Sequence, residues 1–334
     1  MNKDKEAEVF RSHRKLVNQS MAATKACYLI GCDAPTIRAH SISNKRLLLA
    51  LSKDGHVMHF DRNSSDWGSL VETGRNAATT FQGMCGDHDK IFHPIDNYDY
   101  SIGNKEQEYL FAMRAAAKEF NTRRGMVHAT HERILTNQTQ DFPLSEAGLA
   151  MMENMFQPGF DLGLEDQKVT RRIFSDTYAK GKYHVIETAV MVVDEELPMA
   201  VSSTFNMELA YDGTLINDLS PDNYSNRMKP FFLTVFPQDG KTYVLMSYLR
   251  RDRKDYDFLH DLDKLDEKEK RIIVSNMITS YTENFTAEPE YWMSLNDETR
   301  EKYSDLFASS LDPGHRPLVT DANFSLFPSD QTSK

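Results

Sequence analysis

Apolar and polar positions repeat with two different periods along this chain. Residues 4–23 carry apolar side chains near helical spacing, which predicts a first helix. After residue 160 the period changes to two, which is typical of half-buried strands. Four segments follow this pattern and are rich in Val, Phe, Tyr and Thr: 183–193, 199–209, 230–236 and 242–249. The sequence therefore predicts helices first and then an antiparallel sheet of at least four strands.

Capping residues mark where several helices begin. Asn104 with Gln107 forms a capping box, and so does Asp266 with Glu269, while a last helix follows Asn296. Additional helices are expected at 126–136 and 145–156. A polar surface loop is expected at 61–76, and a loosely held tail over about the last 20 residues.

Length and composition favour two domains. The chain has 334 residues, of which 40% are hydrophobic, enough for one large core or two smaller ones. The segment 158–166 (PGFDLGLED) is rich in Pro, Gly and acidic residues and is the candidate boundary. We predict an α+β protein with a helical domain at 1–160, followed at 161–334 by an antiparallel β-sheet domain with C-terminal helices.

All three cysteines and five of the eleven histidines lie within residues 27–93. Four residues separate Cys27 from Cys32 and two separate Cys85 from His88, so they form the two chelating pairs of a Cys₃His zinc site. Three cysteines cannot all pair with one another, which excludes a disulfide framework. Four protein ligands would leave zinc no open position, so the expected role is structural. The alternative is three buried apolar cysteines.

The elements around these ligands follow a recognisable order. A knuckle at 27–32 precedes predicted strands at 36–42 and 56–60, and DHDKIF at 87–92 can open a helix beside the second ligand pair. Asn44 can cap a short helix between the two strands. Knuckle, strand, strand and helix start are the parts of a treble-clef finger, which we predict within 27–93.

The motifs RAHSIS at 38–43 and CGDHDKIF at 85–92 resemble those of the HNH, or His-Me finger, nucleases. The resemblance implies a general-base role for His40 and makes Asp89 a ligand of Mg²⁺ or Mn²⁺. Ala39 departs from the family, which has Asp or His there, so an acid such as Asp87, Asp89 or Asp96 would have to replace that ligand. The alternative for His40 is a buried histidine that bonds across the finger or serves as a substitute zinc ligand.

A wider set of motifs over roughly residues 25–120 resembles a group of poorly characterised bacterial and phage-encoded proteins. The set is CxxxxC, AHSI, ATTF, CxxHDxxIF and the helix EQxYLFAxRA. This resemblance implies no established activity, but it suggests a place in bacterial defence or phage–host conflict.

Charge limits the partners that can be expected. The net charge of −11 argues against a protein that coats nucleic acid over its whole surface. Residues 1–50 nevertheless contain nine Lys and Arg against four Asp and Glu, a local basic segment that either contacts nucleic acid or neutralises the acidic body. No apolar run reaches the ~18 residues of a membrane span, and the N-terminus lacks a signal-peptide pattern, so we expect a cytoplasmic protein without a membrane partner.

Other candidate motifs are weaker. His128 and His131 have a metal-compatible spacing, but basic neighbours favour a solvated face. Ser202 and Ser203 lie in a strand pattern without a GxSxG motif, and neither a P-loop nor a dinucleotide fingerprint occurs.

Three functions remain open from the sequence. The leading hypothesis is a zinc-stabilised HNH-like treble-clef protein that recognises nucleic acid or a protein partner. The first alternative is a metal-dependent HNH-like nuclease with His40 as general base. The second is a protein-interaction scaffold, with or without self-association, in which zinc is purely structural.

Overall fold

The computed structural model describes residues 3–23, 26–60, 69–220, 226–310 and 316–327. It contains a seven-stranded antiparallel sheet, a separate two-stranded antiparallel sheet and helices. The small sheet is called the hairpin below, although its two strands are not consecutive in the chain. The predicted α+β class is confirmed at this level. None of the described helices is both long enough and apolar enough to cross a membrane.

The described residues form the following strands and α-helices. The strands are β1 Thr36–His40, β2 His56–Phe60, β3 Leu70–Gly74, β4 Thr80–Cys85, β5 Ile186–Val193, β6 Met199–Phe205, β7 Phe231–Gln238, β8 Lys241–Leu249 and β9 Phe285–Ala287. The helices are α1 Lys3–Ala23, α2 Gly86–Asp89, α3 His93–Asp96, α4 Lys105–Thr136, α5 Glu146–Met151, α6 Gln157–Tyr178, α7 Arg253–Tyr256, α8 Glu267–Tyr281, α9 Pro289–Ser294 and α10 Asp297–Ser309.

The large sheet has the strand order β3-β2-β9-β6-β7-β8-β5, and every neighbouring pair is antiparallel. The four strands predicted from the period of two correspond to β5 to β8. Two strands from the first half of the chain, β2 and β3, extend the same sheet through β9. The sheet thus takes strands from both 1–160 and 161–334.

The segment 158–166, the candidate domain boundary, is helical and lies inside α6. Pro158 occupies the first turn of that helix, where its missing N–H has no cost. The division into two domains near this point stays a prediction.

Both faces of the sheet are buried, and alternate residues of β7 show how. Phe231 and Leu233 pack into one core with α8, α10 and the C-terminal segment, whereas Phe232 and Phe236 pack into a second core with α4. The capping box of Asp266 and Glu269 is present at the start of α8, as predicted.

The C-terminal segment partly contradicts its prediction as a loose tail. Leu318, Phe324 and Leu326 are almost fully buried in the first core. That expectation is wrong for 316–327, and residues 328–334 lie outside the described residues.

Helix α4 is the central element of the second core. Its 32 residues join what the sequence suggested were two helices, and buried residues occur on all its sides. It packs against α1, α6, β4 and the large sheet. A Cβ at Gly125 would overlap the side chain of Met21, so glycine lets α1 approach α4 closely. The N-terminal basic helix is thereby fixed to the body of the protein.

The expected surface loop at 61–76 is wrong in its second half. Residues 70–74 form β3, which pairs along its whole length with β2. Residues 61–68 of that loop lie outside the described residues. Polar and turn-forming residues dominated this segment, and they concealed an edge strand with only Leu70 and Val71 as large apolar residues.

Packing of α1 on α4 should be sensitive to acid through His13. Burial, with the charges of Arg133 and Arg14, lowers the pKa of His13 to about 4 from 6.5. The unfolded chain binds the proton more readily, so this contribution is complete above pH 6.5 and is lost as the pH falls towards 4. From about pH 7 to about pH 5, we expect His13 to reduce the free energy of unfolding by about 2 kcal/mol.

Urea unfolding at both pH values measures this effect. His13→Asn should remove that part of the pH dependence, whereas His184→Asn, at an exposed histidine, should leave it unchanged. Equal pH dependence in wild type and His13→Asn would contradict the assignment.

Candidate metal centre

The four predicted ligands come together at one end of the two-stranded hairpin. Cys27 and Cys32 lie in the loop before β1, Cys85 ends β4, and His88 lies in α2. Their ligand atoms all lie within 4.8 Å of one another, close enough to hold a metal ion. The Cys32 and Cys85 sulfurs are 3.7 Å apart, and His88 Nδ1 is 3.3 Å from Cys27 Sγ and 3.4 Å from Cys85 Sγ.

These separations fit a tetrahedral site. Metal–ligand bonds of zinc to sulfur and imidazole nitrogen imply tetrahedron edges of about 3.8 Å between sulfurs and about 3.6 Å between sulfur and nitrogen. The donor set, three thiols and one imidazole, is consistent with zinc. Because all four positions of a tetrahedron are filled by protein, the arrangement can hold structure together but leaves no position for a substrate.

Local sequence explains how the second ligand pair forms. Cys85 is the N-cap of α2, and its sulfur accepts the backbone N–H of His88 at 3.4 Å. The N-cap position therefore places the two side chains beside each other. In the knuckle, Gly31 has a φ of +82°, a left-handed conformation that allows the chain to turn between Cys27 and Cys32.

Two residues of α6 form hydrogen bonds with the backbone of the knuckle. Arg171 donates from Nε to the carbonyl of Tyr28 at 2.6 Å and from a terminal nitrogen to the carbonyl of Cys27 at 2.8 Å. Ser175 Oγ accepts the backbone N–H of Ile30 at 3.0 Å. Neither α6 residue was singled out from the sequence, since nothing in their spacing indicates a partner more than 140 residues away.

Cys27 and Cys85 are buried, whereas Cys32 is partly exposed. Burial raises the pKa of the Cys27 thiol to about 11. A bound cation favours the thiolate and offsets this effect of burial.

The hairpin that carries the ligands includes a strand that the sequence did not reveal. β1 pairs with β4, so that Thr36 lies opposite Cys85, whereas the second predicted strand of this region, β2, pairs with β3 and β9. β4 was missed because its sequence, TFQGMC, has neither alternation nor many β-branched residues. A Cβ at Gly83 would clash with the Phe81 ring and approach the carbonyl of Ala117, so glycine allows β4 to lie close to α4.

His40 ends β1 on the same hairpin. Its Nε2 is buried and has no hydrogen-bond partner among the described residues. Burial lowers the pKa of His40, the backbone of Arg75 raises it in part, and the charges of Arg114 and Asp96 act in opposite directions. The imidazole is therefore neutral near pH 7, as a general base or an ordinary buried histidine would be.

A divalent cation beside His40 does not fit the residues present. Arg114 holds both carboxylate oxygens of Asp96, at 2.8 and 2.7 Å, and Ala39 offers no ligand. Burial raises the pKa of Asp89, which lies near the same ion pair. Outside the Cys₃His group, no three ligand atoms of His, Cys, Asp or Glu within the described ranges come within 4.8 Å of one another.

A buried polar network that the sequence did not reveal fixes the chain just after His40. Ser41 Oγ donates to the carbonyl of Thr79 at 2.9 Å and contacts the amide of Asn284, which donates to the carbonyl of Ser202 at 2.5 Å. Ser202 therefore has a role in the sheet, through its backbone. This network connects the hairpin to the large sheet.

A groove runs beside the hairpin. It has a volume of about 320 Å³ and is lined by residues of α1, β1, β4 and α4, and Arg38 is the one charged residue of its described lining. Farther along α1, Arg11, Arg14 and Lys15 border a second depression. Arg11, Lys15 and Arg38 are exposed. The local basic segment predicted from composition thus lies next to the strand that ends at His40.

Among the described residues, the weaker histidine pair does not join other groups in a metal site. His131 Nε2 lies 3.1 Å from Asp161 on α6, and His128 contacts Ser20 and Glu132. The predicted basic face is thus partly paired with acidic groups.

Comparison of the chain with family models, with curated proteins and with solved structures finds no match.

Proposed function

We propose that this chain is a zinc-stabilised, HNH-like treble-clef protein that binds nucleic acid in the groove between α1 and the β1–β4 hairpin. Knuckle, hairpin and the short helix after the second ligand pair support the treble-clef assignment. The tetrahedral spacing of Cys27, Cys32, Cys85 and His88 supports zinc. A role in bacterial defence against phage remains a suggestion from the motif resemblance.

One observation carries the binding function: Arg38 in this groove and Arg11, Arg14 and Lys15 in the adjoining depression are cations on a protein with a net charge of −11, and the described lining of both includes no acidic residue. Arg38 lies on β1, and α1 continues the basic surface with Arg11 and Lys15. Lys and Arg at such a surface gain affinity by releasing counterions from phosphates. The acidic remainder of the surface would limit contact to this groove.

Neutralising the groove should weaken binding and its dependence on salt. We expect the triple variant Arg11→Gln/Lys15→Gln/Arg38→Gln to bind nucleic acid at least about tenfold more weakly, with a salt slope reduced by about two to three. Fluorescence anisotropy with labelled DNA and RNA, single- and double-stranded, between about 50 and 200 mM salt measures both quantities.

A matched variant controls for net charge. Lys53→Gln/Lys264→Gln/Lys302→Gln removes three exposed cations elsewhere and should leave affinity and slope nearly unchanged. Equal losses of affinity in both triple variants would contradict binding in this groove. If the wild type did not bind nucleic acid at all, that result would also contradict it and would favour the interaction scaffold. Cleavage of the probes with Mg²⁺ that His40→Ala abolishes would instead establish the nuclease alternative.

A further inference from the structure

Two arginines lie close together behind the knuckle. The guanidinium carbons of Arg171 on α6 and Arg124 on α4 are 5.1 and 5.3 Å from the ring centroid of Phe120. The ring of Tyr28, in the knuckle, packs edge-on against the same phenylalanine with the centroids 5.9 Å apart. Neither arginine forms an ion pair with an acidic residue of the described ranges. Two positive charges are thus placed beside the metal segment without a carboxylate partner.

Arg124 also lacks hydrogen bonds. Its Nε and one terminal nitrogen are buried and have no hydrogen-bond partner within the described parts of the chain. Burial, together with the charge of Arg171, lowers the pKa of Arg124 to about 10. The face of Phe120 attracts a cation but carries no net charge, so it does not replace a counter-ion. Because desolvating a charge is unfavourable, a negative charge is expected nearby.

The contacts of Arg171 indicate where that charge lies. Its hydrogen bonds to the carbonyls of Cys27 and Tyr28 hold the guanidinium against the backbone of the first metal ligand. Carbonyl oxygens are uncharged acceptors, so these bonds position the cation without neutralising it. The cation is therefore held beside Cys27, whose sulfur is one of the four ligand atoms.

The metal centre carries a negative charge when it is loaded. A zinc ion brings two positive charges, three thiolates bring three negative charges, and a histidine ligand is neutral. The loaded centre is left with one net negative charge. Metal binding releases the protons of the thiols, so this charge is present together with the metal.

We propose that the loaded metal centre is the counter-ion of Arg171 and Arg124, and that both arginines strengthen zinc binding. This inference rests on the proposed zinc centre. Arg171 is a positioning residue, because it also holds the knuckle by hydrogen bonds, whereas Arg124 acts through its charge. Groups that surround a metal site in this way commonly change its affinity by about 10- to 100-fold.

The pairing connects the knuckle to two helices. Arg124 belongs to α4 and Arg171 to α6, so removal of the metal takes away a charge that attracts both. The coupling is reciprocal, since the arginines favour zinc by as much as zinc favours their placement. Hydrogen exchange of the knuckle and of α6 around Ser175, which binds the backbone of Ile30, should therefore become faster after chelation.

The zinc affinity of charge variants tests the proposal. Titrating the full chain with zinc in competition with a chromophoric chelator gives each dissociation constant. Arg171→Gln should weaken zinc binding at least about tenfold. Arg124→Met, which keeps an apolar side chain over Phe120, should weaken it about three- to tenfold. Arg124→Lys keeps the charge and should bind zinc about as tightly as the wild type.

Arg172→Gln is the matched control, because Arg172 follows Arg171 in the same helix and is exposed. It should bind zinc as the wild type does. Melting of the zinc-free proteins separates charge from structure. Zinc-free Arg124→Met should melt at or above the temperature of the zinc-free wild type, because the buried charge is gone. A purely structural role of Arg124 would instead lower the melting temperature both with and without zinc.

Three results would overturn the proposal while leaving the zinc centre in place. They are unchanged zinc affinity in both Arg171→Gln and Arg124→Met, equally weak binding by Arg124→Lys and Arg124→Met, and an equal loss in Arg172→Gln. The two Arg124 variants decide the question if Arg171→Gln does not fold. A wild type that binds no zinc would reject the metal centre itself, and this inference with it.

Discussion

Replacing His88 by alanine should abolish metal binding, while the same change at His93, five residues later, should leave it intact. Elemental analysis of the purified wild type and of His93→Ala should find about one zinc ion per chain, and none in His88→Ala. Both histidines lie in the same short helical region, but only His88 points a nitrogen at the cysteine sulfurs.

The effect on stability should be large. Zinc binding contributes about 10–16 kcal/mol in small finger peptides, and losing one of four ligands removes much of that. Here the metal segment keeps other support, because Asn121 binds the backbone of β4 and Arg171 binds the backbone of the knuckle. We therefore expect His88→Ala to lose at least about 3 kcal/mol of unfolding free energy, mostly at the hairpin.

Chelation separates loss of metal from loss of the side chain. A strong chelator should lower the wild type and His93→Ala to the stability of His88→Ala, and should not affect His88→Ala further. Limited proteolysis should then cut the exposed knuckle around 30–35 before the large sheet. A metal-free wild type of unchanged stability would contradict the assignment of all four ligands.

Breaking the ion pair between Arg114 and Asp96 should cause the second largest loss of unfolding free energy. Arg114 is 3% exposed, both its terminal nitrogens bind Asp96, and its guanidinium lies 4.3 Å above the ring of Phe92. Asp96→Asn removes the carboxylate that binds both terminal nitrogens of the buried arginine, and breaking such a pair costs about 3 kcal/mol. A shift of the urea midpoint measures this loss.

Asp261→Asn is the matched control, since its partner Lys264 and Asp261 are both largely exposed. That pair should contribute at most about 0.5 kcal/mol. If Asp96→Asn and Asp261→Asn lost the same unfolding free energy, burial would not make the pair of Arg114 and Asp96 more stabilising than an exposed pair. Replacing both Arg114 and Asp96 by apolar residues should restore part of the stability, because no charge then remains buried alone.

The sequence predicted elements whose signals are local. Periodicity of two located β5 to β8 within a few residues, and the capping residues Asn104 and Asp266 located the starts of α4 and α8. It could not predict that β2 pairs with β9, because nothing in five residues of strand specifies a partner so distant in the chain. The helix through 158–166 was not predicted, because proline and glycine were given more weight than their positions in a helix justify.

The metal ligands could be predicted for a similar reason. Chelating pairs are close in sequence, so the spacing of Cys27 with Cys32 and of Cys85 with His88 is itself the signal. The residues that position them, such as Arg171 and Asn121, depend on tertiary contacts and carry no such signal. The cleft of about 410 Å³ beside α4 and α6 could not be predicted from the sequence either, because its lining residues come from segments throughout the chain.

The strand order has a consequence for synthesis of the chain. All four metal ligands, and both strands of the hairpin, leave the ribosome long before β9, although Thr286 of β9 bonds Met58 of β2 across 228 residues. A nascent chain could therefore bind its metal and close the hairpin while β2 and β3 still lack their neighbour. Because unpaired strand edges promote aggregation, early metal uptake would shorten the exposure of this segment to misassembly.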